Sequence, residues 1–300
     1  MLAIVIPYFK IKFFEDCLLS LKNQVNKDFV VYIGNDASID DPGELLEEYS
    51  KFIKIIYFRF RENLGGTSLV GQWNRCIDLV GSQEWIMVLG DDDKLGPGCV
   101  EEFYYSLDQI EKNDLSVIRF ATKVINSRGQ IISQKYIHPR YESSKKFLFR
   151  KLEGNTRSSL SEYIFKKEIV LQEKFKDFPL AWYSDLLAVM EFSKFEEIFS
   201  INEAVVYFRL SGLNITSKNN NLLEKNLASF KFYYYLLNEK RTQFDQHQRE
   251  LLFHNLEKTF LDNKKNQNFW FDLTKFYLSH FYLKRYLIFL RKMQYSILNK

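Results

Sequence analysis

The sequence predicts an α/β chain: a mostly parallel sheet flanked by helices, followed by a C-terminal helical extension. Three observations carry this prediction. Short apolar runs alternate with segments of helical spacing through about residue 115, the pattern of strands joined by helical crossovers. Polar residues gather directly after each apolar run, at the strand ends where such sheets bind ligands. From about residue 222 the strand patterns stop, and basic and aromatic residues dominate.

The elements follow in order. "LAIVIP" (2–7) reads as a buried strand, rich in β-branched residues and stopped by Pro7. "FFEDCLLSLKNQ" (13–24) spaces Phe14, Cys17, Leu18 and Leu21 as one helical face. "FVVYIG" (29–34) is a second strand, and "DPGELLEEYS" opens a helix with Pro42 at an early position. "KIIYFRF" (54–60) is a third strand, and "TSLVGQWNRCIDLV" (67–80) a helix with Thr67 or Ser68 as N-cap. "EWIMVLG" (84–90) is a fourth strand, after which a helix starts at Pro97. Further on, 115–125 and 196–210 look strand-bearing, with helical pieces around 142–152 and 184–194.

Composition narrows the function classes. The 300 residues are 46% hydrophobic and 27% charged, as in a soluble globular protein. Three isolated cysteines and four scattered histidines give neither a disulfide framework nor a clustered zinc site, and favour a reducing compartment. The N-terminus lacks a basic region, and no apolar run reaches the length of a membrane span, so a cytoplasmic location is expected. Residues 221–300 hold 14 Lys and Arg against 7 Asp and Glu, whereas residues 1–220 hold 28 against 31. A basic tail and a slightly acidic remainder are expected to do different jobs.

The fourth strand runs into Asp91, Asp92 and Asp93. Such a triplet is ordinarily a solvated turn. Here it has company at the same sheet edge: Pro7-Tyr8-Phe9, Asn35-Asp36-Ala37-Ser38 and Glu62-Asn63-Leu64-Gly65-Gly66 follow the first three strands. Clustered carboxylates facing polar loops suit Mg²⁺ or Mn²⁺ on a nucleotide's phosphates, a Ca²⁺ site, or a phosphatase-like nucleophile. "ENLGGTSLVG" lacks the lysine of a P-loop, and "PYFKIKFF" lacks the glycines of a dinucleotide fingerprint.

"IVIPYF", "SLKNQ", "DFVVYIGNDAS", "ENLGG", "WNRCIDLV" and "WIMVLGDDDKL", in this order and spacing, resemble the family 2 glycosyltransferases of GT-A-like, Rossmann-type fold. The resemblance covers residues 1–115 well and 116–215 more loosely. It implies a catalytic domain over 1–215, with a nucleotide-sugar-binding half (1–115) and an acceptor-binding half (116–215), then an extension over 216–300. It also implies inverting transfer of a sugar from a nucleoside diphosphate, usually UDP, to a hydroxyl of a glycan or lipid-linked glycan in cell-envelope polysaccharide biosynthesis.

Carried onto this sequence, Pro7, Tyr8 and Phe9 would line the nucleoside and Asp36 would bind its base or ribose. Asn63, Gly65 and Gly66 would let backbone approach the donor, and Asn74 would brace that loop. Asp91 would face the donor, and Asp92 and Asp93 would hold Mn²⁺ or Mg²⁺, with Asp92 the first choice. The sequence departs from the family at Asn35-Asp36-Ala37-Ser38, where two acids commonly precede Gly-Ser, and at Gly90, where the acidic motif often begins with Asp.

Inverting displacement needs a base for the acceptor hydroxyl. The resemblance places it in "FPLAWYSDLLAVMEF" at Asp185, which alone would pass for an ordinary first-turn helix acid. Trp182 and Tyr183 beside it offer an acceptor platform or serve as core. Arg209, in "YFRLSGLNITS", would reach the diphosphate, or be a surface strand residue. The stretch 275–300 contains Lys275, Lys284, Arg285, Arg291, Lys292 and Lys300 and no acid. It reads either as a helical subdomain or as a basic amphipathic surface for peripheral contact with the inner face of the plasma membrane. A nucleic-acid partner is not expected, given the modest net charge of +4. Two alternatives stay open: a non-catalytic nucleotide-sugar-binding or regulatory protein, and a nucleotidyltransferase.

Overall fold

The fold comes from a computed structural model that describes residues 1–212, 214–217, 220–263 and 266–298, with side chains through Tyr295. Lys300, the last basic residue of the tail, lies outside the described residues. The chain divides into two compact units, Met1–Asp177 with Ser184–Asn219, and Phe178–Tyr183 with Asn220–Lys300.

The first unit is built on one sheet. Its opening half contains β1 (Leu2–Tyr8), α1 (Phe14–Lys22), β2 (Phe29–Asn35), α2 (Gly43–Tyr49), β3 (Lys54–Arg59), α3 (Leu69–Ile77), β4 (Trp85–Val88), β5 (Lys94–Leu95) and α4 (Cys99–Lys112). Strands β1, β2 and β4 are almost wholly buried, which is why they read as unbroken apolar runs rather than alternating ones. Strand β3 is the exposed edge, with Ile56, Tyr57 and Phe58 facing solvent. Pro42 is the residue before α2 rather than inside it. Of the two candidates Ser68 caps α3, its Oγ accepting from the Gly71 N–H at 2.8 Å.

The second half of this unit adds β6 (Val117–Asn126), β7 (Tyr141–Ser143), α5 (Ser144–Leu152), β8 (Tyr163–Lys166), α6 (Lys167–Glu173), α7 (Ser184–Phe192) and β9 (Glu197–Leu210). The sheet order is β3-β2-β1-β4-β8-β6-β9-β5, with β7 also on β9. Strands β3, β2, β1 and β4 are mutually parallel, as are β6 and β9. Strand β8 runs antiparallel between β4 and β6, and the two-residue β5 antiparallel to β9. The order reverses at β1, whose two neighbours are β2 and β4, and in such sheets the carboxyl ends at the reversal are where ligands bind.

The second unit is helical: α8 (Leu222–Asn238), α9 (Gln246–Asp262), α10 (Gln267–Ser279) and α11 (Leu283–Leu298). Asp245 caps α9 in a reciprocal capping box with Gln248. Buried Glu257 ties three helices together, accepting from Tyr277 Oη at 2.8 Å, Arg285 Nε at 3.0 Å and Lys292 Nζ at 3.0 Å. The Phe230 and Phe269 rings stack at 4.0 Å. The segment Phe178–Tyr183 packs here too, with Tyr183 stacked on Phe232 at 4.6 Å. Leu180, Ala181 and Tyr183 take φ of 59°, 54° and 70°, a left-handed region costly for side-chain-bearing residues. Among the described residues no helix is long and apolar enough to cross a membrane.

Candidate active site

One carboxylate joins the loops that follow β1 and β4. Asp91 Oδ2 accepts from the Phe9 and Lys10 backbone N–H groups, each at 2.8 Å, so the loop after β4 holds the loop after β1. Strand alternation then separates the residues of that first loop. Tyr8 turns inward: its ring has no exposed surface, packs on Phe14 at 4.6 Å, and its hydroxyl donates to the Asp40 carbonyl. Tyr8 is therefore a core residue beneath the site. Half-buried Pro7 and exposed Phe9 are the two that face outward.

Asp36 organises the loop after β3. Its Oδ1 accepts from Leu64 N–H at 2.8 Å and its Oδ2 from Gly65 N–H at 2.9 Å. Arg75, on α3, pairs with the same carboxylate and donates to the Glu62 carbonyl. Asn63 Oδ1 accepts from Gly66 N–H at 2.6 Å. The glycines are required by these clamps: a Cβ on Gly65 would lie 2.6 Å from Asp36 Oδ2, and one on Gly66 2.7 Å from Asn63 Oδ1. The bracing expected of Asn74 falls to Arg75, its neighbour in sequence. Asn35 accepts from Ser38 N–H and donates to Tyr57 Oη.

The other two aspartates differ sharply. Asp93 is buried, with Oδ2 accepting from Ser161 Oγ at 2.5 Å and Oδ1 from Arg209 N–H at 2.8 Å. Ser161 Oγ also accepts from Gly90 N–H at 3.0 Å. Asp92 is half-buried, and among the described residues no other residue donates to its carboxylate. Burial pushes the Asp92 carboxyl up to about 7, with Asp93 adding to the effect. Burial likewise raises Asp91 and Asp93 to about 6 each.

Arg209 is not at a surface. Its side chain is fully buried, with Nε donating to the Asp92 carbonyl at 2.7 Å and Nη2 to Asp16 Oδ2 at 2.7 Å. Nη1 donates to the Asn126 carbonyl at 3.3 Å, and the guanidinium lies over the Phe13 ring. Its donors meet these protein acceptors, so the guanidinium braces the Asp92 loop.

Asp185 opens α7, its Oδ1 accepting from Leu186 N–H at 2.8 Å. Burial raises its carboxyl; the backbone N–H groups, Lys151 and Arg157 oppose that shift. Lys151 on α5 is in turn lowered by burial and favoured by Asp185. Arg157 pairs with Glu162 at 3.1 Å, and its charge acts on both Asp93 and Asp185. Burial pushes Glu162 up to about 7 against the pull of Arg157 and Arg119. Trp182 and Tyr183, expected beside the base, belong to the helical unit, where Lys225 lies over the Trp182 ring.

Asp16, Arg75, Arg157 and Ser161 were not apparent from sequence. The one available signal was the S-x-x-E of Ser159 and Glu162, which form a capping box around the turn bearing Ser161.

Among the described residues no three His, Cys, Asp or Glu side chains gather into a ready-made metal cluster. The donors present still suit Mg²⁺ or Mn²⁺ bound with a phosphorylated ligand, since such ions take one or two carboxylates and complete their shell with phosphate oxygens and water. Asp92 has the carboxylate to offer.

Residues 3–175 match the family model described as "Glycosyl transferase family 2". No curated protein matches the sequence. Among solved structures, S. aureus TarS 1-349 in complex with UDP-GlcNAc has a TM-score of 0.65 at 14% identity, over 87% of this chain and 72% of that one. The same TarS fragment in complex with UDP has a TM-score of 0.55 at 14% identity, covering 87% and 80%. A longer S. aureus TarS structure has a TM-score of 0.60 at 16% identity, over 86% of this chain and 43% of that one. At such identities the likeness is one of fold.

Proposed function

The chain belongs to glycosyl transferase family 2, and from that premise we propose that it transfers a sugar, with inversion, from a nucleoside diphosphate to a hydroxyl of a glycan or lipid-linked glycan. UDP is the expected nucleotide. The observation that carries this reading is the aspartate loop after β4, where Asp91 and Asp93 are taken up by backbone and Ser161 donors while Asp92, among the described residues, keeps its carboxylate free of any other residue's donor. The UDP-GlcNAc and UDP held by the TarS structures support the choice of donor.

Each residue then has a task. Phe9 and Pro7 face the nucleoside. Asp36, with Asn63 and Arg75, fixes the Leu64–Gly66 backbone so that it can approach the donor. Asp91 and Asp93 hold the loops that present Asp92. Mn²⁺ or Mg²⁺, when bound at Asp92 with the diphosphate, supplies neutralisation of leaving-group charge. Asp185 takes the proton from the acceptor hydroxyl as it attacks the anomeric carbon, and a raised carboxyl suits that work near neutral pH. Lys151 and Arg157 restrain how far burial raises it. Trp182 and Tyr183 remain the acceptor-side aromatics nearest in sequence to the base. A lipid-linked acceptor is presented at a membrane surface, which suits an enzyme resting on its cytoplasmic face.

The test is calorimetric titration with UDP, with Mn²⁺ present and then chelated, on the parent and Asp92→Ala. Metal-dependent binding lost in the variant is the expected result. Absence of binding to UDP, GDP, CMP and dTDP in either condition sinks the proposal. UDP binding with no sugar transfer to any acceptor would instead favour a non-catalytic nucleotide-sugar-binding protein.

A further inference from the structure

Helix α11 is docked by one side only. Phe289 and Met293 are buried, and Arg285 and Lys292 pair with Glu257. The other side carries Leu283, Leu287, Ile288 and Tyr295, exposed by 54%, 61%, 46% and 71%. Lys284 and Arg291 are exposed among them, and neither forms an ion pair among the described residues. At 100° per residue these six fall within roughly 140° of the helix circumference, so they form one face. Just before it, Phe281 is 86% exposed in the turn from α10, held outward by a φ of 57°. No acid follows Asp272 in the sequence.

We infer that this face of α11, with Phe281, docks on an anionic lipid surface. Two features select that occupant. The apolar tips are interleaved with cations rather than ringed by them, the arrangement in which Leu, Ile and Phe enter the acyl boundary while Lys and Arg stems reach back to headgroups. The charge of Lys284 and Arg291, unpaired among the described residues on a helix that carries no acid of its own, is complementary to an anionic leaflet. A second copy fits poorly, because a two-fold contact would set Lys284 and Arg291 against the same cations of its mate. The inference stands on the helical unit alone and does not depend on glycosyl transfer.

The test is co-sedimentation of the full chain with phosphatidylcholine vesicles and with vesicles of equal parts phosphatidylcholine and phosphatidylglycerol. Binding should appear with the anionic vesicles and weaken as salt is raised. Lys284→Gln with Arg291→Gln should weaken it about 30-fold, at about five-fold per cation. Phe281→Ser with Leu287→Ser should also weaken it. All four positions are exposed, so thermal unfolding should match the parent and shows that the variants are folded. No binding, equal binding to both vesicles, or indifference to both pairs of substitutions overturns the inference. So does a loss of self-association, in place of a loss of lipid binding, in the Leu287 variant.

Discussion

Replacing Arg209 by Met separates two roles that a buried guanidinium could have. Met keeps much of the aliphatic stem and removes the donors to the Asp92 and Asn126 carbonyls and to Asp16. Each carbonyl left without its donor costs about 1–3 kcal/mol, with the longer 3.3 Å contact at the low end. Asp16 is 43% exposed and regains water, so its ion pair adds at most about 1 kcal/mol. The total is about 3 kcal/mol, which for a unit of this size lowers Tm by roughly 6–12 °C. Thermal unfolding and UDP titration of the same sample provide the assay, with stability and donor affinity falling together because the Asp92 loop loses its brace. An unchanged Tm with abolished UDP binding would refute the argument and make the guanidinium a direct phosphate ligand.

Asp185→Asn should leave UDP affinity unchanged and lower kcat by about 10²–10⁴. Because burial raises the Asp185 carboxyl and only the ionised form is a base, kcat/KM should fall as pH drops through that raised value. Lys151→Met removes a charge that holds the carboxyl down, and should move this acid limb to higher pH. Gly65→Ala puts a Cβ 2.6 Å from Asp36 Oδ2 and should cost about 1–3 kcal/mol in urea unfolding while weakening UDP binding. Glu257→Ala strips the hydroxyl of Tyr277 and two cations of their acceptor. The expected loss is about 2 kcal/mol in thermal unfolding, below that of a fully buried pair because Lys292 is 51% exposed.

The opening strands and helices were legible because local pattern dictates them: β1, β2 and β4 are apolar on both faces, and α1 and α3 carry periodic stripes. The loops that meet at the sheet edge were legible for the same reason, since strand ends in a parallel sheet share one side. What sequence did not provide was side-chain direction and long-range partnership. Tyr8 and Phe9 are adjacent, yet one is core and the other exposed. Arg209 looked like an outward cation because nothing near it in sequence reveals Asp16, 193 positions away. Strand β8 is only four residues long, and its place between β4 and β6 is fixed by pairing rather than by its own pattern.

The clamps on the aspartate loop also fix when it can form during synthesis. Asp93 precedes Arg209 by 116 positions, and Gly90 precedes Ser161 by 71. At about 5–20 residues per second, the ribosome makes Asp93 roughly 6–23 s before its second clamp exists. Until then Asp91 already has the Phe9 and Lys10 N–H groups made before it, but Asp92 and Asp93 have water as their best solvent. A nascent or truncated chain carrying only the opening half would hold every residue of the triplet and still present no ordered anion-facing loop. Order in the aspartate loop is thereby deferred until β9 has been translated.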